Sequence, residues 1–218
     1  MIRNPLPTLV ATLLLLAGCG PQPAEPVSNP GAADHSTPPP PAPPDLDALK
    51  SAALLRGKSI VQEAFTVLSS QLGAALQSGG VSNALSLCSV KALPLTQLVG
   101  NTNQVTLRRV THKPRNPANR ANTDEQHLLD CFQEMLSAGT TNLTPMVLTP
   151  STNRISFCAP IVINNPLCLN CHGVPGETLL PAAATLLKQL YPTDEATGFK
   201  LGDLRGMWRV DFDPAVLQ

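Results

Sequence analysis

Apolar positions recur by threes and fours over residues 45–77, at Leu46, Leu49, Ala53, Ile60, Ala64, Val67, Leu68 and Leu72, and stop at Gly79-Gly80. That spacing predicts an amphipathic helix ended by glycine. Ser82 suits the N-cap of a second helix carrying Leu85, Leu87, Cys88 and Leu95, which Pro94 should bend or restart. Residues 104–110 are rich in β-branched side chains and predict a strand. Residues 112–122 hold Lys-Pro-Arg-Asn-Pro-Ala-Asn and cannot be regular. Thr123-Asp-Glu-Gln126 reads as a capping box that opens a third helix, to about Ser137. Residues 146–148 and 154–163 flank Thr-Pro-Ser-Thr-Asn and predict a β-hairpin. Residues 177–190 predict a further helix, and 205–212 a closing strand. The sum is an α+β domain, with helices first and then an antiparallel sheet into which a helix is inserted. No internal repeat interrupts it.

Before that domain the pattern is different. Arg3 is followed by an apolar run from Leu9 to Leu16 and then by Leu16-Ala17-Gly18-Cys19. The run is too short to stay in a bilayer as a spanning helix and has the layout of a secretory signal. Its ending resembles the bacterial lipobox, which implies removal of residues 1–18 and attachment of lipid to Cys19. Gly20 after the cysteine favours outer-membrane sorting over inner by the same resemblance. Residues 20–44 then hold ten of the chain's 23 prolines and no apolar periodicity. Such a stretch buries too little surface to offset chain entropy, so residues 19–44 read as a lipidated, extended tether in which His35 is solvated. The domain itself is residues 45–218, expected on the periplasmic face of the cell envelope.

Composition narrows the partners. Across 218 residues, 15 Lys+Arg balance 15 Asp+Glu, which argues against a nucleic-acid binder. Without the first 44 residues the charge is about +1, and it is uneven. Arg108, Arg109, Lys113, Arg115 and Arg120 fall in one stretch, with no acid between Glu63 and Asp124. Aromatics are only 3 % of the chain. Either aliphatic side chains fill the core or a group that is not an amino acid helps.

Cys168-Leu-Asn-Cys171-His172 supplies that group. Two thiols at this spacing can add to the two vinyl groups of a haem, and the histidine that follows can bind its iron. Such attachment is made outside the cytoplasm, where the leader would deliver the chain. Structural zinc would want a second ligand pair, and Cys131 and Cys158 stand singly. A thioredoxin-type pair opens a helix after a strand, whereas Pro166 and Gly173 bracket a loop here. A plain disulfide between Cys168 and Cys171 is the remaining alternative. One covalent haem c is therefore expected. Its two propionates are anions, and Arg115 and Lys113 of the basic stretch are candidate partners. The sixth iron position stays open on this reading. Met135, Met146 and Met207 would give a Met/His couple, His112 or His127 would give bis-His, and Cys88 would give a thiolate. By position alone Cys88 reads as a small buried apolar residue.

Leu-Cys-Ser-Val-Lys-Ala at 87–92, Lys-Pro-Arg-Asn-Pro-Ala-Asn at 113–119 and Pro-Leu-Cys-Leu-Asn-Cys-His-Gly at 166–173 form an ordered set. Tyr-Pro-Thr-Asp-Glu-Ala-Thr-Gly-Phe-Lys at 191–200 and Gly-Asp-Leu-Arg-Gly at 202–206 complete it. Together they resemble a bacterial c-type haem family with a PAS-like fold, over roughly residues 54–210. The resemblance implies a PAS-like antiparallel sheet with flanking helices around one covalently bound haem. It implies His172 as proximal iron ligand, Cys168 and Cys171 as attachment thiols and Cys88 as distal ligand, with Arg115 and Asn116 in a motif at the cofactor. Cys131, Cys158 and His112 depart from the pattern; the first two could pair as a disulfide in an oxidising compartment. Members occur as small exported haem proteins and as sensory inputs, so redox or gas sensing with an envelope signalling partner is expected. Electron carriage between envelope proteins is the alternative. No enzymatic activity is expected, because a peroxidase needs an open distal face that Cys88 would block.

Overall fold

The computed structural model describes residues 45–151 and 153–218. The expected signal peptide and tether, with Cys19 and His35, lie outside the described residues. Among those described, no helix is long and apolar enough to cross a membrane.

Helix α1 (Leu46–Thr102) starts where the Asp45 carboxylate accepts from the amides of Asp47 and Ala48, at 3.0 and 3.3 Å. It breaks at Gly79-Gly80, where Gly80 (φ 64°, ψ −158°) has a backbone that only glycine adopts readily. The expected glycine stop is thus a kink between two limbs, and Ser82 lies inside the second limb instead of capping it. Pro94 was expected to bend that limb, yet helical geometry runs through it. Pro94 and Val90 are both exposed, so the carbonyl that loses its amide partner faces water.

Strands β1 (Thr106–Val110), β2 (Met146–Ser151), β3 (Arg154–Val162) and β4 (Leu204–Phe212) form one antiparallel sheet in the order β1-β4-β3-β2. This is the expected α+β architecture. Both faces are covered. Leu49, Ala53, Ile60 and Ala64 of the first limb pack on Leu107, Phe157, Trp208, Val210 and Phe212. Small residues on that stripe bring helix and sheet close; a Cβ on Gly57 would overlap the Phe157 ring.

The opposite face carries helix α2 (Thr123–Ser137), whose Leu129 and Phe132 bury Val110, Cys158 and Met207. Its N-cap is Asn122, one residue before the expected Thr123, with Glu125 closing the capping box. Glu125 has no solvent-exposed side-chain surface, and it also binds Arg108 (3.1 Å) and Arg209 (3.3 Å) from β1 and β4. Arg209 reaches on to Asp211 at 2.9 Å, and Asp211 accepts from Ser156 Oγ at 2.5 Å. Helices α3 (Leu169–His172) and α4 (Pro181–Leu190) complete the chain, the latter four residues shorter at its start than expected because Pro181 begins it.

Candidate functional site

The Cys-x-x-Cys-His segment is shaped by its own neighbours in sequence. Asn165 accepts from the Leu167 amide at 2.9 Å and caps a 3₁₀ turn, Pro166–Cys168, that runs into α3. Gly173 ends α3, and a Cβ there would overlap Thr178 Oγ1 and lie 2.5 Å from the Leu169 carbonyl. The Cys168 and Cys171 thiols are free and half-buried on this frame. Burial pushes the Cys171 thiol up, against the pull of Arg115. Leu85 on the second limb of α1 packs in one cluster with Cys171, Leu179, Leu187 and Tyr191. Cys88 lies three residues on from Leu85 and shares its face of the helix.

His172 Nδ1 lies 2.8 Å from the Ala196 carbonyl. A carbonyl only accepts, so Nδ1 carries the proton and Nε2 keeps its lone pair. Burial, then the positive charges of Arg205 and Arg115, hold the imidazole pKa well below its ordinary value, so the ring is neutral near pH 7. The ring also meets Phe199 edge-on, with centroids 6.3 Å apart. Cys88 feels burial first, which pushes its thiol up, while Arg109 and Arg115 pull it down.

Arg115 laces the distant motifs together. Its guanidinium grips Asp194 at 3.1 to 3.3 Å, and Nη2 donates to the carbonyls of Cys171 (2.6 Å) and Ala196 (3.3 Å). Backbone bonds from Gly198 to Gly173 (2.8 Å), Phe199 to His172 (3.0 Å) and Glu195 to Pro114 (3.0 Å) add to it. Segments 113–116, 168–173 and 191–199 therefore converge as one unit. Lys113 Nζ donates to Thr197 O at 2.7 Å and lies 4.6 Å from the Phe199 ring centroid.

Other expected residues fall elsewhere. Asn116 turns its side-chain oxygen to the Ala118 amide (3.0 Å) and caps a short 3₁₀ turn. Met207 is buried under α2, and Met135 and Met146 pack on the same cluster, which contains neither His172 nor Phe199. His127 is exposed on α2, and exposed His112 pairs with Asp130 at 3.0 Å. The two unplaced cysteines do not join: Cys131 is exposed, Cys158 is fully buried, and both are free thiols. The basic stretch is not one surface. Strand alternation turns Arg108 toward α2 and Arg109 toward α1, a split that the period of two in residues 106–110 already contains. Reasoning from sequence missed the roles of Asp194, Tyr191 and Arg205, whose links to Arg115, Thr111 and Lys113 span 76 or more positions.

A family model described as Tll0287-like matches residues 45–212. The chain belongs to the Tll0287-like family. Among solved structures, the chain is similar to one titled as the crystal structure of the cyanobacterial haem-protein Tll0287. The TM-score is 0.55 and the identity 21 %, over 73 % of this chain and 94 % of that one. No curated protein matches. The Tll0287-like match opens at Asp45, the N-cap of α1, and closes at Phe212, the last residue of β4. It thus spans every element that builds the site, from Cys88 to Arg205.

Proposed function

We propose that this chain binds one haem covalently and serves as a redox or gas sensor in the cell envelope. One observation carries the reading. Two free thiols at attachment spacing stand beside a neutral histidine whose Nδ1–H is committed to Ala196 and whose Nε2 has no hydrogen-bond partner among the described residues. That donor set fits haem c, and the cyanobacterial neighbour is itself described as a haem-protein. When bound, haem would supply a one-electron couple and an iron for which a diatomic gas could compete with a protein ligand.

The chain's own residues divide the work. Cys168 and Cys171 hold the group, His172 presents Nε2, and Arg115 with Asp194 keeps the His172 and Ala196 segments in register. Cys88, on the second limb, would supply the other iron ligand. Burial, the larger influence, favours its protonated thiol, while Arg109 and Arg115 pull toward the thiolate. A PAS-like use of the sheet and a signalling partner in the envelope complete the reading. Lipid on Cys19 and the 19–44 tether would fix the domain to the membrane, facing the periplasm.

The deciding experiment is a redox titration with visible spectra under CO, on wild type and Cys88→Ala together. CO uptake by the reduced wild type at low concentration, and a spin-state change in Cys88→Ala, support sensing. A reversible couple with no ligand uptake supports the second reading, electron carriage. That reading draws on exposed Leu167 (66 %) beside half-buried Cys168, an apolar approach to the attachment edge.

A further inference from the structure

The charges of Arg205, Arg115 and Arg109 all bear on His172, and among the three only Arg115 has a carboxylate partner among the described residues. Arg109 leaves β1 on the α1 side of the sheet, its guanidinium carbon 5.8 Å from the Trp208 ring centroid. Its side chain makes no hydrogen bond among the described residues. Arg205, at the start of β4, donates through Nη1 to Thr111 Oγ1 (3.1 Å) and the Lys113 carbonyl (3.2 Å), and lies 5.3 Å from the Phe199 ring centroid. Its Nε and Nη2 are uncommitted. Among the described residues neither arginine is paired with an acid.

The opposite face of the sheet is handled differently. There Arg108 and Arg209 meet Glu125, and Arg209 and Arg154 meet Asp211. Burial lowers the pKa of Arg109, and burial with repulsion from Arg115 and Arg109 lowers that of Arg205 to about 10. Two half-buried cations that repel each other and have no acid beside them favour an anion that joins them. An arginine fork leaning on an aromatic ring keeps its outer N–H groups free for a carboxylate.

We infer that Arg109 and Arg205 are the anion receptors of this site, each taking one carboxylate of the haem, while Arg115 only positions the loop. The inference rests on the haem reading above. It moves the propionate role away from Arg115, whose Nε and Nη2 are held by Asp194 and two carbonyls so that only Nη1 is open, and from Lys113, which is tied to Thr197. Two uncompensated cations match the two negative charges that the group brings. The charged and titratable groups around them are Cys88 from α1, Lys113 and Arg115 after β1, His172 from α3, and Tyr191 and Asp194 after α4.

The test uses the full chain loaded with haem. Haem content is read first from the pyridine haemochrome spectrum: a wild type without haem overturns the parent reading. In loaded wild type, the propionate deformation bands of the resonance Raman spectrum should hold still from about pH 5 to about pH 8, because a carboxylate paired with arginine stays ionised there. Arg109→Gln and Arg205→Gln should each release one carboxylate, so that a band moves and the reduction potential becomes pH-dependent over that range. Arg108→Gln, on the α2 face, should do neither. Still bands in both Gln variants, or movement in Arg115→Gln alone, overturn the inference. The wild-type bands need no variant, so movement there overturns it even if a Gln variant does not fold.

Discussion

His172 and Ala196 are joined by a 2.8 Å bond from ring to carbonyl, and the same carbonyl receives Arg115 Nη2 at 3.3 Å. A carbonyl shared between two donors serves each less well than one alone. Arg115 therefore tempers how far Ala196 draws the Nδ1 proton, and with it the donor strength of Nε2. Arg115 and Asp194 are 11 % and 9 % exposed, so removing one leaves the other a buried, unbalanced charge.

Arg115→Gln should cost about 3 kcal/mol in urea denaturation, in line with breaking other buried ion pairs. In the haem-loaded chain it should also lower the reduction potential, because the histidine becomes the stronger donor. Arg115→Lys keeps the charge but loses the fork, and should fall between. Unchanged stability together with an unchanged potential would remove Arg115 as a positioning residue.

Replacing Cys168 and Cys171 together by alanine should abolish haem that survives a denaturing gel. Each single replacement should leave one thioether and a shifted reduced-haem absorption band. A double variant that still carries haem through the gel sinks the covalent reading, whatever its spectrum before denaturation.

What was legible in the sequence depended on separation along the chain. Cys168, Cys171 and His172 sit within five residues, and the turn and short helix that shape them are built from Asn165, Pro166 and Gly173 close by. Arg115 could be suspected from its motif, but its partner Asp194 is 79 positions away and no local pattern links them. Cys88 is a half-buried helical cysteine by local rules; only its packing neighbour Leu85, in contact with the Cys171 cluster, brings it to the site. The α2 cap slipped by one residue because Asn122 and Thr123 are both good caps, and the choice falls to whichever has Glu125 three residues on. Arg108 and Arg109 fall in one basic stretch when charge is counted along the chain, whereas a strand separates neighbours by face.

Two glycines of α1 should respond to alanine in opposite directions. Gly57 faces Phe157 so closely that a Cβ would overlap the ring, and Gly57→Ala should destabilise by about 1–3 kcal/mol through forced repacking. Gly73 has nothing within 4 Å of an added Cβ, and Gly73→Ala should stabilise by about 0.5–1 kcal/mol by restricting the unfolded chain. Urea midpoints of the two variants, measured side by side, should move apart. A shift of both in the same direction contradicts the close approach of α1 to β3.

Cys158 gives the domain an alkaline limit. It lies on β3 under α2 with no exposed surface, and burial raises its pKa from 9.0 to about 11 against the pull of Arg209. An unfolded chain loses this thiol proton near pH 9 while the folded one keeps it. Between those values the folded state binds more protons, so stability is whole below pH 9 and falls as pH rises toward 11. A shift of this size corresponds to about 2–3 kcal/mol at its full extent. Cys158→Ala should be less stable at pH 7, because it leaves a small cavity beside Phe132 and Met207. Its urea midpoint should nevertheless fall less than that of the wild type from pH 8 to about pH 10.5. Parallel decline of the two curves would assign the alkaline loss to other groups and leave Cys158 a filler of the core.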